Sequence, residues 1–182
     1  MTVTKRVLVA VDGTEASNTA LEIACALADS YQAHLGLLCV IEPEKVTDEL
    51  IEGAIVEGVL QRQNYDAWYN SSARSLGRLE VSKDVERSAY VARLSTELAD
   101  TIVAEAAAYT RDSAAKAIKT FVRSGDVAEE IVKVAKENNV DLIVMGHDRQ
   151  GRLESLIKSS VAESVERDAP CPCLIYCLPK RA

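Results

Sequence analysis

The chain has 182 residues, of which 48% are hydrophobic and 27% charged, and its net charge is −7. That is enough apolar material for one ordinary core, and too much negative charge for non-specific attraction to nucleic acid or to an anionic membrane surface. No apolar run nears the roughly 18 residues that a membrane span needs, and residues 7–11 are too short for a signal-peptide core, so the expectation is a cytoplasmic protein with no nucleic-acid or membrane partner.

Residues 6–11 (RVLVAV) are a short, almost wholly apolar run, which suits a strand buried on both faces. Asp12-Gly13-Thr14 breaks it. Thr14 or Ser17 can cap a helix over 16–31, with Ala20, Ile23, Ala24 and Leu27 on one face. Residues 33–40 (AHLGLLCV) predict a second strand, ended by Glu42-Pro43-Glu44. From 42 to about 116 no strand is predicted. Leu50, Ile51, Ala54, Ile55 and Val59 have helical spacing, interrupted by Gly53 and Gly58. Residues 61–77 read as a loop or broken helix. Its Tyr65, Trp68 and Tyr69 suit a packed corner, or a lid or partner site. Residues 82–115 hold neither Gly nor Pro and carry Val91, Leu94, Leu98, Ile102 and Ala106 as a stripe, which predicts a long helix.

The alternation resumes with a strand at 117–122, ended by Arg123-Ser124-Gly125, and a helix at 127–138. A strand at 141–145, a helix at 159–167 and a last strand at 173–176 follow. The order predicts a single five-stranded parallel sheet with helices on both faces and a long helical insert, about 43–115, between strands 2 and 3. One domain over 1–182 is expected.

Five cysteines, an odd count, predict reduced thiols. Cys25 and Cys39 sit among apolar neighbours as small core residues. Cys171, Cys173 and Cys177 are spaced to share one face of a strand. That face is either small and sulfur-rich or a soft-metal or redox site, although no nearby His completes a metal set.

The chemistry gathers in the last quarter. Residues 141–151 (DLIVMGHDRQG) are an apolar run ending in Gly146, then a polar loop, then a helix opening at Ser159-Ser160-Val161. In a parallel sheet this brings a strand's carboxyl end to a helix N-terminus, where backbone N–H groups hold an anion. Asp12 follows the first strand, where it can cap the following helix. His34 and His147 are the only histidines. Ser-His-Asp order, HExxH, CxxC and Walker loop are all absent. No catalytic residue and no metal ligand is assigned. A slow ATPase would have to draw on Asp12, His147 and Asp148.

Segments 9–14 (VAVDGT), 125–131 (GDVAEEI), 141–146 (DLIVMG) and 169–173 (APCPC), in this order, resemble the universal stress protein family. The resemblance implies an adenine nucleotide alpha hydrolase-like fold and a homodimeric stress-response or regulatory module with a signalling protein partner. The family has ATP-binding and non-ATP-binding branches. The ATP-binding pattern is Gly, two residues, Gly, nine residues, Gly, then Ser or Thr. Counted from Gly146, Arg149 and Ser159 stand where the second and third glycines would, and Ser160 matches. Those glycines let backbone approach phosphate. Arg149 must turn its side chain away, or supply a positive charge instead. Gly151 offers a shifted turn, and the Ser159-Ser160 pair resembles the non-binding branch.

Two readings stay open: a regulatory module without nucleotide, or a switch holding ATP or another adenine nucleotide with Mg. The resemblance places Asp12 and Val40 by base and ribose and Gly146, Arg149, Ser159, Ser160 and Val161 by the phosphates, with Ala10, Val11 and Met145 also among the nucleotide-binding residues. It implies that Asp12 accepts a hydrogen bond from a ligand ribose or amide, the alternative to capping the helix. The last strand, with Leu174, Ile175 and Tyr176, is expected at a sheet edge. Pairing there with a second copy would cover it.

Overall fold

The run Val7-Leu8-Val9 is buried on both faces because it lies in the middle of the sheet. The computed structural model describes residues 5–42, 83–112, 115, 117–147 and 161–179, with side chains in the second stretch from 91 to 111. The elements are β1 (Arg6–Ala10), α1 (Glu15–Tyr31), β2 (His34–Ile41), α2 (Lys83–Tyr109), β3 (Ile118–Ser124), α3 (Val127–Glu137), β4 (Leu142–His147), α4 (Val161–Asp168) and β5 (Cys173–Cys177). All strand pairs are parallel, in the order β3-β2-β1-β4-β5. The fold class expected above is the one found. The helical stripe of Leu50, Ile51, Ala54, Ile55 and Val59 and the segment around Trp68 lie outside the described residues.

Helices α1 and α3 have local boundary signals. Thr14 is the cap of α1, its hydroxyl accepting from the Ser17 N–H at 3.2 Å. Gln32 ends the helix in the left-handed region (φ 50°). Asp126 caps α3, accepting from the Glu129 N–H at 3.0 Å. Asp141 ties the amino ends of β4 and β1 together, its carboxylate accepting from the Lys5 and Arg6 N–H groups at 2.8 and 3.0 Å.

Strand alternation splits the core in two. Val7, Val9, Leu35, Leu37 and Val144 face α1 and α2. Leu8, Leu38, Ile143 and Met145 face α3 and α4. On α2 the buried stripe is Val91, Leu94, Ser95, Ala99, Val103 and Ala106. The predicted stripe is therefore rotated: Leu98 and Ile102 flank it. Small Ser95 and Ala99 are fully buried in this stripe, and Ser95 satisfies its hydroxyl on the Val91 carbonyl at 2.7 Å.

β3 runs past its expected end at Val122, because Arg123 and Ser124 pair with Val40 and Ile41. Cys171 does not share a strand with Cys173 and Cys177. It precedes β5, separated by Pro172. Along β5, the Pro172 carbonyl accepts from the Ile143 N–H and the Leu178 N–H donates to the His147 carbonyl. Backbone groups of successive residues point to opposite sides of a strand. The even-numbered residues therefore bond to β4. Cys173, Ile175 and Cys177 turn their N–H and C=O groups to the outer edge, which no strand among the described residues pairs.

Candidate functional site

β1 and β4 are neighbours, with Ala10 beside Met145, yet their chains leave in opposite directions. β1 continues through α1 to β2, and β4 continues towards α4 and β5. A crevice opens at the carboxyl ends of such a pair, the usual ligand position in a parallel α/β sheet. The N-termini of α1, α3 and α4 all point to this end, and their helix dipoles favour negative charge there.

The residues expected around a ligand divide into three groups. Ala10, Val40 and Met145 come together on one sheet face, joined by Val127 and Ala128 of α3. Val161 opens α4 and is 39% exposed. Val161 and Ser164 face Asp126, Val127 and Ala128 across a groove of about 800 Å³ that reaches Glu42. Val11 departs from expectation. Its side chain is buried in the opposite core and its N–H donates to the Leu38 carbonyl at 2.8 Å, because alternation sends it to the face that Ala10 does not share. Arg149, Ser159 and Ser160 lie outside the described residues, as does Asp148.

Asp12 is not the cap itself but supports it. One carboxylate oxygen accepts from the Thr14 N–H at 3.0 Å and from the Thr14 hydroxyl at 2.7 Å, which aims the capping oxygen at α1. The exposed carboxylate places negative charge beside Cys39. Burial, and then Asp12 and Asp100, push the Cys39 thiol up to about 12.

Gly146 has a packing role that the motif does not reveal. A Cβ there would stand 2.6 Å from the Ser17 backbone N and closer still to the Ala16 carbonyl group. The missing side chain lets the first turn of α1 sit directly on β4. His147 ends β4, and its carbonyl is engaged by the Leu178 N–H. His34 is at the opposite, amino end of the sheet. A second cleft, of about 470 Å³, opens at that end among Arg6, Lys119 and Asn139, far from the motif residues. At the carboxyl end, Ser17 donates its hydroxyl proton to the Thr14 carbonyl at 3.0 Å. It is not held by a base. The arrangement is suited to holding a ligand by apolar contact and helix N-termini.

Sequence reasoning missed Val127, Ala128 and Asp126. The signal was the Gly125-Asp126 break after a strand, which puts the N-terminus of α3 at the same end of the sheet as the loop after β4.

The Universal stress protein family model matches residues 4–176. The chain belongs to the universal stress protein family. Universal stress protein YxiE of Bacillus subtilis is 28% identical over 170 residues, covering 93% of this chain and 97% of that protein. Universal stress protein MJ0531 of Methanocaldococcus jannaschii is 42% identical over 64 residues, but the matched stretch spans only 38% of that relative and 35% of this chain. Among solved structures, a universal stress protein in complex with cAMP superposes with a TM-score of 0.59 at 18% identity, covering 96% of this chain and 97% of the other. A universal stress protein from Archaeoglobus fulgidus in complex with dAMP gives 0.53 at 16% identity, covering 96% and 98%. These likenesses show the fold. No helix among the described residues is long and apolar enough to cross a membrane.

Proposed function

We infer that this universal stress protein is a homodimeric regulatory module that senses an adenine nucleotide at the β1/β4 crevice and performs no chemistry on it. The observation that carries this reading is the convergence of Ala10, Val40, Met145 and Val127 on one face, where two diverging strands end. That apolar ledge suits a purine ring, and the N-termini of α1 and α4 suit a phosphate. The solved relatives bound to cAMP and dAMP support the same ligand class. In the cell, the complex would signal through a protein partner in the cytoplasm, with Mg accompanying a polyphosphate if one binds.

Isothermal titration with ATP plus Mg, AMP and cAMP tests the reading. Saturable binding of at least one supports it. The absence of both heat and thermal shift at millimolar concentrations of all three overturns it.

One observation favours the second reading, a module without nucleotide. Gly146 is explained by the packing of α1 alone, so its presence needs no phosphate. With Arg149 and Ser159 in place of glycines, a ligand-free dimer is the outcome expected if titration fails. An ATPase assay tests the absence of chemistry: turnover above a boiled control that is lost in Asp148→Asn would contradict it.

A further inference from the structure

β5 is the last strand of the sheet, and all five of its residues are half-buried. Cys173, Ile175 and Cys177 direct their backbone groups to its outer edge, unpaired among the described residues, as the bonds of Pro172 and Leu178 to β4 require. The same three side chains share one face, the face on which Cys173 and Ile175 pack toward α3 and α4. A second copy pairing along this edge under two-fold symmetry runs antiparallel. Full overlap of the two strands places the axis at Ile175. In that register Cys173 lies opposite Cys177 of the partner, on the same face, and the symmetry repeats the pair. Both residues are hydrogen-bonding positions, so their Cα atoms would be about 5.5 Å apart. That separation is the one most often spanned by a disulfide.

We propose that β5 is a redox-sensitive seam, in which Cys173 of one protomer and the partner's Cys177 form a disulfide that locks the dimer covalently. This rests on the homodimer proposed above. The oxidant is a small-molecule disulfide. The Cys173 thiolate attacks one of its sulfurs and releases a thiolate, leaving a mixed disulfide on Cys173. The thiolate of the partner's Cys177 then attacks the Cys173 sulfur and releases the second thiol. Two protein thiols lose two electrons and two protons, and the oxidant becomes two thiols. Burial and the charge of Glu166 raise the Cys173 thiol above its usual range, so locking is slow near neutrality and accelerates with pH.

The test uses the full chain carrying Cys25→Ser, Cys39→Ser and Cys171→Ser. Light scattering under reducing conditions comes first, and a monomer there overturns the dimer and the seam together. Oxidised glutathione at pH 8 to 9 follows, read on a non-reducing gel. The expected result is a covalent dimer that neither C173S nor C177S forms alone in this background. Mixing the two variants restores it, because each supplies the cysteine that the other lacks. A non-covalent dimer that never cross-links overturns the seam only. Cross-linking by C177S alone shows Cys173 meeting its own copy and overturns the pairing. In the unsubstituted chain, peptide mapping that finds only a Cys171–Cys173 bond also overturns it.

Discussion

Gly146 and Ser17 meet backbone to backbone: a Cβ on Gly146 would stand 2.6 Å from the Ser17 N. The obstructing atoms belong to the first turn of a helix and cannot rotate away as a side chain could. Gly146→Ala should therefore cost at the upper end of overpacking effects, about 3 kcal/mol. For a chain of this size that is a fall of roughly 6–12 °C in Tm. Urea denaturation of the variant without nucleotide checks it. A loss under about 0.5 kcal/mol, the scatter of surface changes, would mean that α1 can shift off β4.

This contact marks the limit of what the sequence made legible. The alternation of apolar runs with helical stripes was enough for five parallel strands and their order along the chain, because Val7-Leu8-Val9 or Leu142-Ile143-Val144 can be buried in few other ways. The motif pointed to Gly146 for phosphate, whereas its close neighbour is α1, and spacing within one segment cannot show what a distant helix does. The α2 stripe was misplaced for a similar reason. Hydrophobicity favours Leu98, but sheet contact selected small Ala99. Ala10 and Val11 were grouped together although strand alternation separates them.

Alkaline pH should weaken the fold through two thiols. Burial, first of all, raises Cys39 from 9.0 to about 12 and Cys25 from 9.0 to about 11. The unfolded chain gives up these protons first. Stability is thus fully present below pH 9 and is lost as pH rises through 9 toward 11 or 12. Buried Cys39 contributes up to about 1.4 kcal/mol per pH unit in that window, and half-buried Cys25 contributes less because solvent screens it. Denaturant midpoints between pH 8 and 11 should fall steeply, and Cys39→Ala should lessen the slope while lowering stability at pH 8. An unchanged slope in that variant would remove Cys39 as the cause.

Val40 offers a test of the ligand ledge that leaves the core alone, since it is only partly buried beside Ala10 and Val127. Val40→Arg should fill the space proposed for a purine. Affinity for the adenine nucleotide that binds the parent chain should fall at least tenfold, about 1.4 kcal/mol, with Tm altered by no more than a few degrees. Val11→Ala provides the contrast. Val11 is buried in the opposite core, so that change should lower stability by roughly 1–2 kcal/mol and leave affinity within about twofold, which is under 0.5 kcal/mol. Equal loss of affinity in both variants would place the ligand elsewhere.

Proline substitutions along β5 separate the dimer edge from the edge that holds the strand in the sheet. Ile175 directs its N–H outward, whereas Tyr176 lies in the set bonded to β4. Proline lacks the N–H and is tolerated on the free side of an edge strand. Ile175→Pro should therefore keep β5 on β4 and interrupt only the contact with a second copy. Tyr176→Pro deletes a ladder bond within the protomer and should cost about 1–3 kcal/mol by leaving its acceptor unsatisfied. Light scattering and thermal denaturation, read together, decide the matter. The expected pattern is a folded monomer for Ile175→Pro and a destabilised chain for Tyr176→Pro. If Ile175→Pro stays dimeric with an unchanged dissociation constant, the two copies do not meet along β5, and the surface between them must be sought on the helical faces.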